Sequence, residues 1–278
     1  MINGSTQLFG IIGNPVEHSL SPAMHNAAFA ALGINGVYIP MRPHDLSDGF
    51  RGLRALGFIG VSVTVPYKVA IMDCLDEIDP VARKIGAVNT LYFDRNIDGE
   101  PFCKGYNTDW LGSNQALAAE IDPRGSTVLI IGAGGAARAV GFGLLEAGAK
   151  IMLTNRTEAK GRELAGQLNC AFIPAHDVAQ VRADALINTT SVGMAPHHDA
   201  LPIRPELLVH FSVVMDIVYA PLATRLLQEA AVRGCRTIDG LKMLQCQGAA
   251  QFTLWTGQEA PLAVMRTALL AELQARHH

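Results

Sequence analysis

Thr127-Val128-Leu129-Ile130-Ile131-Gly132-Ala133-Gly134-Gly135-Ala136-Ala137-Arg138 is the stretch on which the fold turns. It reads as a strand, a glycine turn and the start of a helix. Gly132 then permits a tight turn, and Gly134 lets the backbone come close to a pyrophosphate. Ala137 stands where only glycine or alanine allows a helix to lie against the strand. The free amides and positive dipole end of that helix start favour phosphate oxygens. Glycine turns after strands also arise for purely structural reasons, so the surroundings must decide.

A second strand, Lys150-Ile151-Met152-Leu153-Thr154, follows at the distance a dinucleotide-binding unit requires, and its end selects the nucleotide. An NAD site places Asp or Glu there to hold the ribose hydroxyls. This chain instead has Asn155-Arg156-Thr157, with Lys160 one turn on. A carboxylate would repel a 2′-phosphate, whereas guanidinium and ammonium groups bind it through charge-assisted hydrogen bonds. The alternative is that Arg156 and Lys160 are ordinary solvated helix residues. With no acid at this corner, NADP is the expected cofactor.

Outward from this core, strands are expected at residues 8–12, 36–39, 60–65, 127–131, 150–154, 185–188 and 213–217. Crossover helices are expected at 22–32, 138–146 and 158–168. Such alternation implies an α/β fold with parallel sheets covered by helices. Ser21 is placed to cap the first helix, Pro22 suits its first turn, and Gly33 follows its end. A break near 109–117 divides the chain into an N-terminal α/β lobe, 1–109, with a mostly parallel sheet, and a Rossmann lobe, 110–239. The helical tail, 240–278, is expected to return to the first lobe.

The 278 residues carry a formal net charge of −3, with Lys and Arg scattered, so no nucleic-acid footprint is expected. Five scattered cysteines, none in a C-x-x-C pair, argue against a disulfide framework and for a reducing cytoplasm. The start MINGSTQLFG has neither a basic segment nor a long apolar run, so no signal peptide or membrane association is expected. His197 and His198 adjoin Pro196 in a loop and read as solvated histidines, and no metal is expected.

Gly60-Val61-Ser62-Val63-Thr64-Val65-Pro66-Tyr67-Lys68 delivers Lys68 to the carboxyl end of a strand, where α/β ligand sites lie. Ketone reduction needs a proton source at the carbonyl oxygen, and a partly desolvated lysine beside a carboxylate supplies one. A lone lysine is otherwise a surface residue. In Gly105-Tyr106-Asn107-Thr108-Asp109, Asp109 sits at the expected hinge, as a catalytic carboxylate, a helix cap or both. Ser19 and Ser21 could bind a carboxylate or merely cap the first helix. Asn89, in Gly86-Ala87-Val88-Asn89-Thr90-Leu91, could read a substrate hydroxyl or close a turn. Thr189-Thr190-Ser191-Val192-Gly193 imitates a hydrolase nucleophile elbow but lacks its first glycine.

Together these segments resemble the shikimate dehydrogenase family. The resemblance rests on 14–22 (NPVEHSLSP) with His25-Asn26, on 63–68 (VTVPYK), and on the two segments around Asn89 and Asp109. It continues through 132–137, Asn155-Arg156-Thr157, 188–194 (NTTSVGM), and Asp239-Gly240-Leu241 with Met243 and Gln247. It implies a substrate-binding lobe completed by the C-terminal helices and an NADP-binding lobe. The activity implied is reversible NADPH-dependent reduction of 3-dehydroshikimate to shikimate, towards chorismate and aromatic amino acids, in a monomer or homodimer.

By the same resemblance, Lys68 and Asp109 form the catalytic pair, with Lys68 transferring the proton. Ser19 and Ser21, with Tyr219 nearby, bind the substrate carboxylate, while Thr64, Asn89 and Gln247 meet the ring hydroxyls. Gly132, Ala133, Gly134, Gly135 and Ala136 hold the pyrophosphate. Asn155, Arg156, Thr157 and Lys160 hold the phosphorylated ribose, and Ile217 and Gly240 border the nicotinamide. Ser62 departs from the Asn of many members, and Lys160 from a frequent Arg. The alternatives are a quinate/shikimate dehydrogenase using NAD and a non-catalytic NADP-binding sensor.

Overall fold

The computed structural model describes residues 2–95 and 99–276. The chain divides into two compact units, one through Thr108 and again from Gln247, the other Asp109–Cys246. In the first unit the elements are β1 (Gln7–Ile12), α1 (Ser21–Ala31), β2 (Gly36–Met41), α2 (Leu46–Ala55), β3 (Phe58–Val63), β4 (Glu77–Ile78), α3 (Pro80–Ile85), β5 (Thr90–Arg95) and β6 (Pro101–Tyr106). They build one sheet in the order β2-β1-β3-β5-β6-β4. β2 and β3 flank β1 in parallel, and β4 joins β6 in parallel, whereas β5 runs antiparallel to both β3 and β6.

The second unit begins with α4 (Asp109–Ala118), β7 (Thr127–Ile131), α5 (Gly135–Glu146), β8 (Lys150–Thr154), α6 (Glu158–Gln167) and β9 (Ala171–Phe172). It continues with β10 (Ala185–Asn188), β11 (Val213–Asp216), α7 (Arg225–Val232) and β12 (Arg236–Ile238). Its sheet has the order β12-β11-β10-β7-β8-β9, and every pairing is parallel. Counted from β7, this is the doubly wound order of a dinucleotide-binding unit, with its switch point between β7 and β10. The chain is therefore α/β, with one mixed, mostly parallel sheet and one wholly parallel sheet. Two helices close it, α8 (Gly240–Thr256) and α9 (Leu262–Ala275), and the boundary between units falls inside α8.

The apolar run of β7 is explained by burial on both faces. Val128 and Ile130 join the core with Val140 and Leu144 of α5, while Leu129 and Ile131 face the opposite core with Leu186, Leu208 and Leu226. In the first unit, Val61, Val63 and Leu91 pack with Phe50 and Leu53 of α2. An aromatic cluster of Phe9, Phe29, Tyr38, Phe252 and Trp255 packs around His25. Gly60 makes room for it, since a Cβ there would lie 2.5 Å from the Trp255 ring.

Several expectations need correction. Ser21 does not cap α1: Leu20 occupies the cap position without a side-chain bond, and the Ser19 hydroxyl instead accepts from Ser21 N at 3.2 Å. β3 ends at Val63 rather than Val65, because the chain already turns there and Tyr67 N donates to Thr64 O at 2.9 Å. β4, β5, β6, β9 and β12 are strands beyond those expected from the sequence. Three of these are two or three residues long, and the β5–β6 pair is antiparallel, without the crossover helix that marks parallel strands.

His25 is fully buried, and neither ring nitrogen has a hydrogen-bond partner among the described residues. Burial lowers its pKa from 6.5 to about 3, with the nearby Gln251 amide opposing. The folded state therefore refuses a proton that the unfolded chain accepts, so this contribution to stability is lost as pH falls below 6.5. Buried Asp216 works the other way, its pKa raised by burial from 3.8 to about 6. A His25→Leu variant separates the two. Between about pH 7 and pH 5, the stability advantage of the unsubstituted protein over this variant is expected to shrink by about 2 kcal/mol in urea unfolding. A difference that does not change with pH would mean that His25 protonates while folded.

Candidate functional site

The first unit gathers its polar residues at one end of its sheet, and strand direction explains why. β1 and β3 are parallel neighbours with Ile12 opposite Val63, so the loops leaving them, with Ser19 and Ser21 on one and Thr64 and Lys68 on the other, emerge side by side. Gly13 and Thr64 are in close contact, for a Cβ on Gly13 would lie 2.4 Å from the threonine methyl. Because β5 is antiparallel to β3, with Thr90 opposite Ser62, Asn89 enters at this same end. β6 leaves there as well, its Tyr106 opposite Thr90, and so delivers Asn107 and Thr108.

Backbone bonds fix these loops. Val88 N donates to Lys68 O at 2.8 Å, Val63 N to Asn89 O at 2.8 Å, and Asn14 N to Val65 O at 2.9 Å. Gln247, on α8, meets the Asn89 amide, which donates to Gln247 Oε1 at 3.3 Å. Asn89, Thr108 and Gln247 are buried, whereas Ser19, Thr64 and Lys68 are partly exposed. Arg276 near the end of α9 grips the serine loop, donating to His18 O at 2.7 Å and Ser19 O at 3.0 Å. Six of the expected site residues thus share one end of one sheet. Asp109 is buried and opens α4 in the second unit, directly after Thr108.

The second unit carries the glycine turn at its switch point. Gly132 has φ of 126°, and a Cβ there would strike the Thr189 hydroxyl at 2.4 Å. That hydroxyl donates to Ile131 O at 2.7 Å, so the segment resembling a nucleophile elbow braces the glycine turn instead. Ala137 is fully buried, as close helix–strand contact requires, whereas a Cβ on Gly134 would meet nothing within 4 Å. The space beside Gly134 at the start of α5 is open, and the first amides of a helix lack partners of their own. These features form a cradle suited to phosphate oxygens.

At the end of β8, Asn155 Nδ2 donates to Thr157 O at 2.9 Å, fixing the corner. Arg156, Thr157 and Lys160 are exposed, and neither cation has an ion-pair partner among the described residues. The one acid nearby, Glu158, pairs with Arg162 at 3.2 Å. The corner is thus basic and uncommitted, and it fits a 2′-phosphate.

Ile217 and Gly240 meet as well: a Cβ on Gly240 would lie 2.4 Å from Ile217 O, so only glycine allows this approach. A device missed from the sequence holds the loop that bears Ile217 and Tyr219. The buried Asp216 carboxylate accepts from Asn188 Nδ2 at 2.9 Å, Val218 N at 3.0 Å and Thr224 Oγ1 at 2.7 Å. Nothing local in the sequence signals this, since its partners lie on separate strands and loops. Among the described residues no three His, Cys, Asp or Glu side chains converge on a metal position, and no helix is long and apolar enough to cross a membrane.

Comparison with known proteins decides the family. Residues 11–91 match the shikimate dehydrogenase substrate binding domain, 116–195 the shikimate / quinate 5-dehydrogenase family, and 240–270 the shikimate 5'-dehydrogenase C-terminal domain. A shikimate dehydrogenase (NADP(+)) of Moorella thermoacetica is 49% identical, covering 95% of this chain and 92% of that protein. The chain belongs to the shikimate dehydrogenase family.

Solved members agree in fold. A crystal structure of shikimate dehydrogenase in complex with NADP+ is 43% identical, with a TM-score of 0.89 over 98% of both chains. That of shikimate 5-dehydrogenase from Thermus thermophilus, in complex with NADP(H) and shikimate, is 38% identical with a TM-score of 0.86. It covers 95% of this chain and 99% of its own.

Proposed function

We propose that this chain is an NADP-dependent shikimate dehydrogenase, interconverting 3-dehydroshikimate and shikimate. The observation that carries the reading is the 49% identity, across nearly the whole chain, to a protein named for that activity. The second unit, with its glycine cradle and basic corner, is the cofactor-binding unit in this reading. The first unit, with its polar end, binds the substrate.

When bound, NADPH supplies the hydride. The chain's own residues bind, orient and move the proton. The amides of residues 132–136 receive the pyrophosphate, Asn155 to Lys160 receive the phosphorylated ribose, and Ile217 and Gly240 border the nicotinamide. Ser19 and Ser21 hold the substrate carboxylate, with Tyr219 beside it. Thr64, Asn89 and Gln247 read the ring hydroxyls. Lys68 gives a proton to the carbonyl oxygen during reduction and takes it back during oxidation, and Asp109 is the carboxylate of the pair. We further place the enzyme in the cytoplasm, as a monomer or homodimer, which suits its five free cysteines.

Incubation with shikimate and NADP+ is expected to give 3-dehydroshikimate and NADPH in equal amounts, read by chromatography and by the absorbance of the reduced nicotinamide. Formation of neither product would refute the assignment.

A further inference from the structure

Seven buried side chains of the first unit form one hydrogen-bonded chain that ends on two of the proposed substrate-reading amides. Its sense is fixed by a donor that cannot reverse: Thr108 N donates to Asn89 Oδ1 at 2.7 Å. The Thr90 hydroxyl donates to the same oxygen at 2.6 Å and therefore accepts from Gln251 Nε2 at 2.9 Å, with Thr108 Oγ1 a more distant neighbour at 3.3 Å. Gln251 Nε2 also reaches Asn89 O at 3.2 Å. With its nitrogen so directed, Gln251 turns Oε1 towards Ser62, whose hydroxyl donates at 2.9 Å. Ser62 in turn accepts from the Tyr38 hydroxyl at 2.7 Å. At the other end, Asn89 Nδ2 is left facing Thr108 Oγ1 at 3.1 Å and Gln247 Oε1 at 3.3 Å.

We propose that Tyr38, Ser62 and Gln251 are positioning residues of the dehydrogenase, supporting through the Thr90 hydroxyl and the Asn89 carbonyl the Asn89 carboxamide, and through it Gln247, where they read the substrate's ring hydroxyls. The proposal rests on the substrate-binding role given to those two amides. The physical basis is directionality. A carboxamide has a donor end and an acceptor end of almost equal shape, so packing alone does not choose between them. Here each link dictates the next, from Thr108 N to the Tyr38 oxygen. Every member is buried, Ser62 at 5% exposure and Gln251 at 1%, so water is a poor replacement for a missing link. Removing the Ser62 hydroxyl takes the partner from Gln251 Oε1 and from Tyr38 together, so the Gln251 amide that donates to Thr90 Oγ1 and Asn89 O is held at one end only. Tyr38 is anchored independently by stacking on His25, with ring centroids 4.5 Å apart, and by Tyr38 N donating to Asn26 Oδ1 at 2.8 Å.

The test compares the unsubstituted enzyme with Ser62→Ala and Tyr38→Phe, each assayed well below its own unfolding midpoint. Both variants are expected to raise KM for shikimate by about 2- to 12-fold, the scale of one intramolecular hydrogen bond, while KM for NADP stays unchanged. If Ser62→Ala fails to fold, Tyr38→Phe, which removes a single oxygen at the end of the chain, carries the test alone. A lowered melting temperature with an unaltered KM for shikimate would reduce the chain to a structural brace and overturn the proposal. Failure of the unsubstituted enzyme to oxidise shikimate would instead overturn the function on which it rests.

Discussion

Lys68→Ala is expected to lower shikimate turnover by about 10²–10⁴-fold, the usual contribution of a positioned acid or base, with little change in KM for NADP. The side chain stands in the loop that leaves β3, and the backbone bond from Val88 N to Lys68 O fixes that loop beside Asn89. Hydride transfer to a ketone leaves negative charge on its oxygen, and in water-poor surroundings that charge needs a fixed cation and a proton. Alanine removes both. Lys68→Arg keeps the charge but holds its proton too tightly to give it up, so it is expected to bind substrate and still turn over slowly. Rates within twofold of the unsubstituted enzyme for Lys68→Ala, in steady-state assays, would remove Lys68 from the mechanism.

The second large effect concerns the cofactor. Arg156→Ala is expected to weaken NADPH by about 1.5–3 kcal/mol, roughly 10- to 150-fold, the range of a hydrogen bond between charged groups. NADH, which has no 2′-phosphate, should bind equally well before and after the change. No acid competes for the guanidinium, because Glu158 is paired with Arg162. Titration of both nucleotides by fluorescence reads the difference. An equal loss for NADPH and NADH would mean that Arg156 shapes the corner without contacting the extra phosphate.

These two residues were visible in the sequence for different reasons. Arg156 lies in a local pattern of strand, glycine turn, helix and second strand, and the strands at 127–131, 150–154 and 185–188 have the expected bounds because each is built on a short apolar run packed into the core. Lys68 and its neighbours are gathered by topology. Ser19 and Thr64 adjoin because β1 and β3 are parallel neighbours, but Asn89 and Gln247 join them only because β5 reverses direction against β3 and α8 returns to the first unit, and an alternation of strands and helices does not encode that reversal. The resemblance to a known family supplied this grouping, where periodicity could not. The chain through Tyr38, Ser62 and Gln251 joins residues 24 and 189 positions apart, so no local signal could reveal it. Ser62 stood out only as a departure from the family's usual asparagine.

The most direct test of the account is a comparison of initial rates with shikimate and quinate, each paired with NADP and with NAD, followed by the absorbance of the reduced nicotinamide. The highest kcat/KM is expected for shikimate with NADP, as the paired serines and the basic corner at Arg156 require. Quinate with NAD as the best pair would contradict the reading of both features, and no turnover with any pair would contradict the assigned function itself.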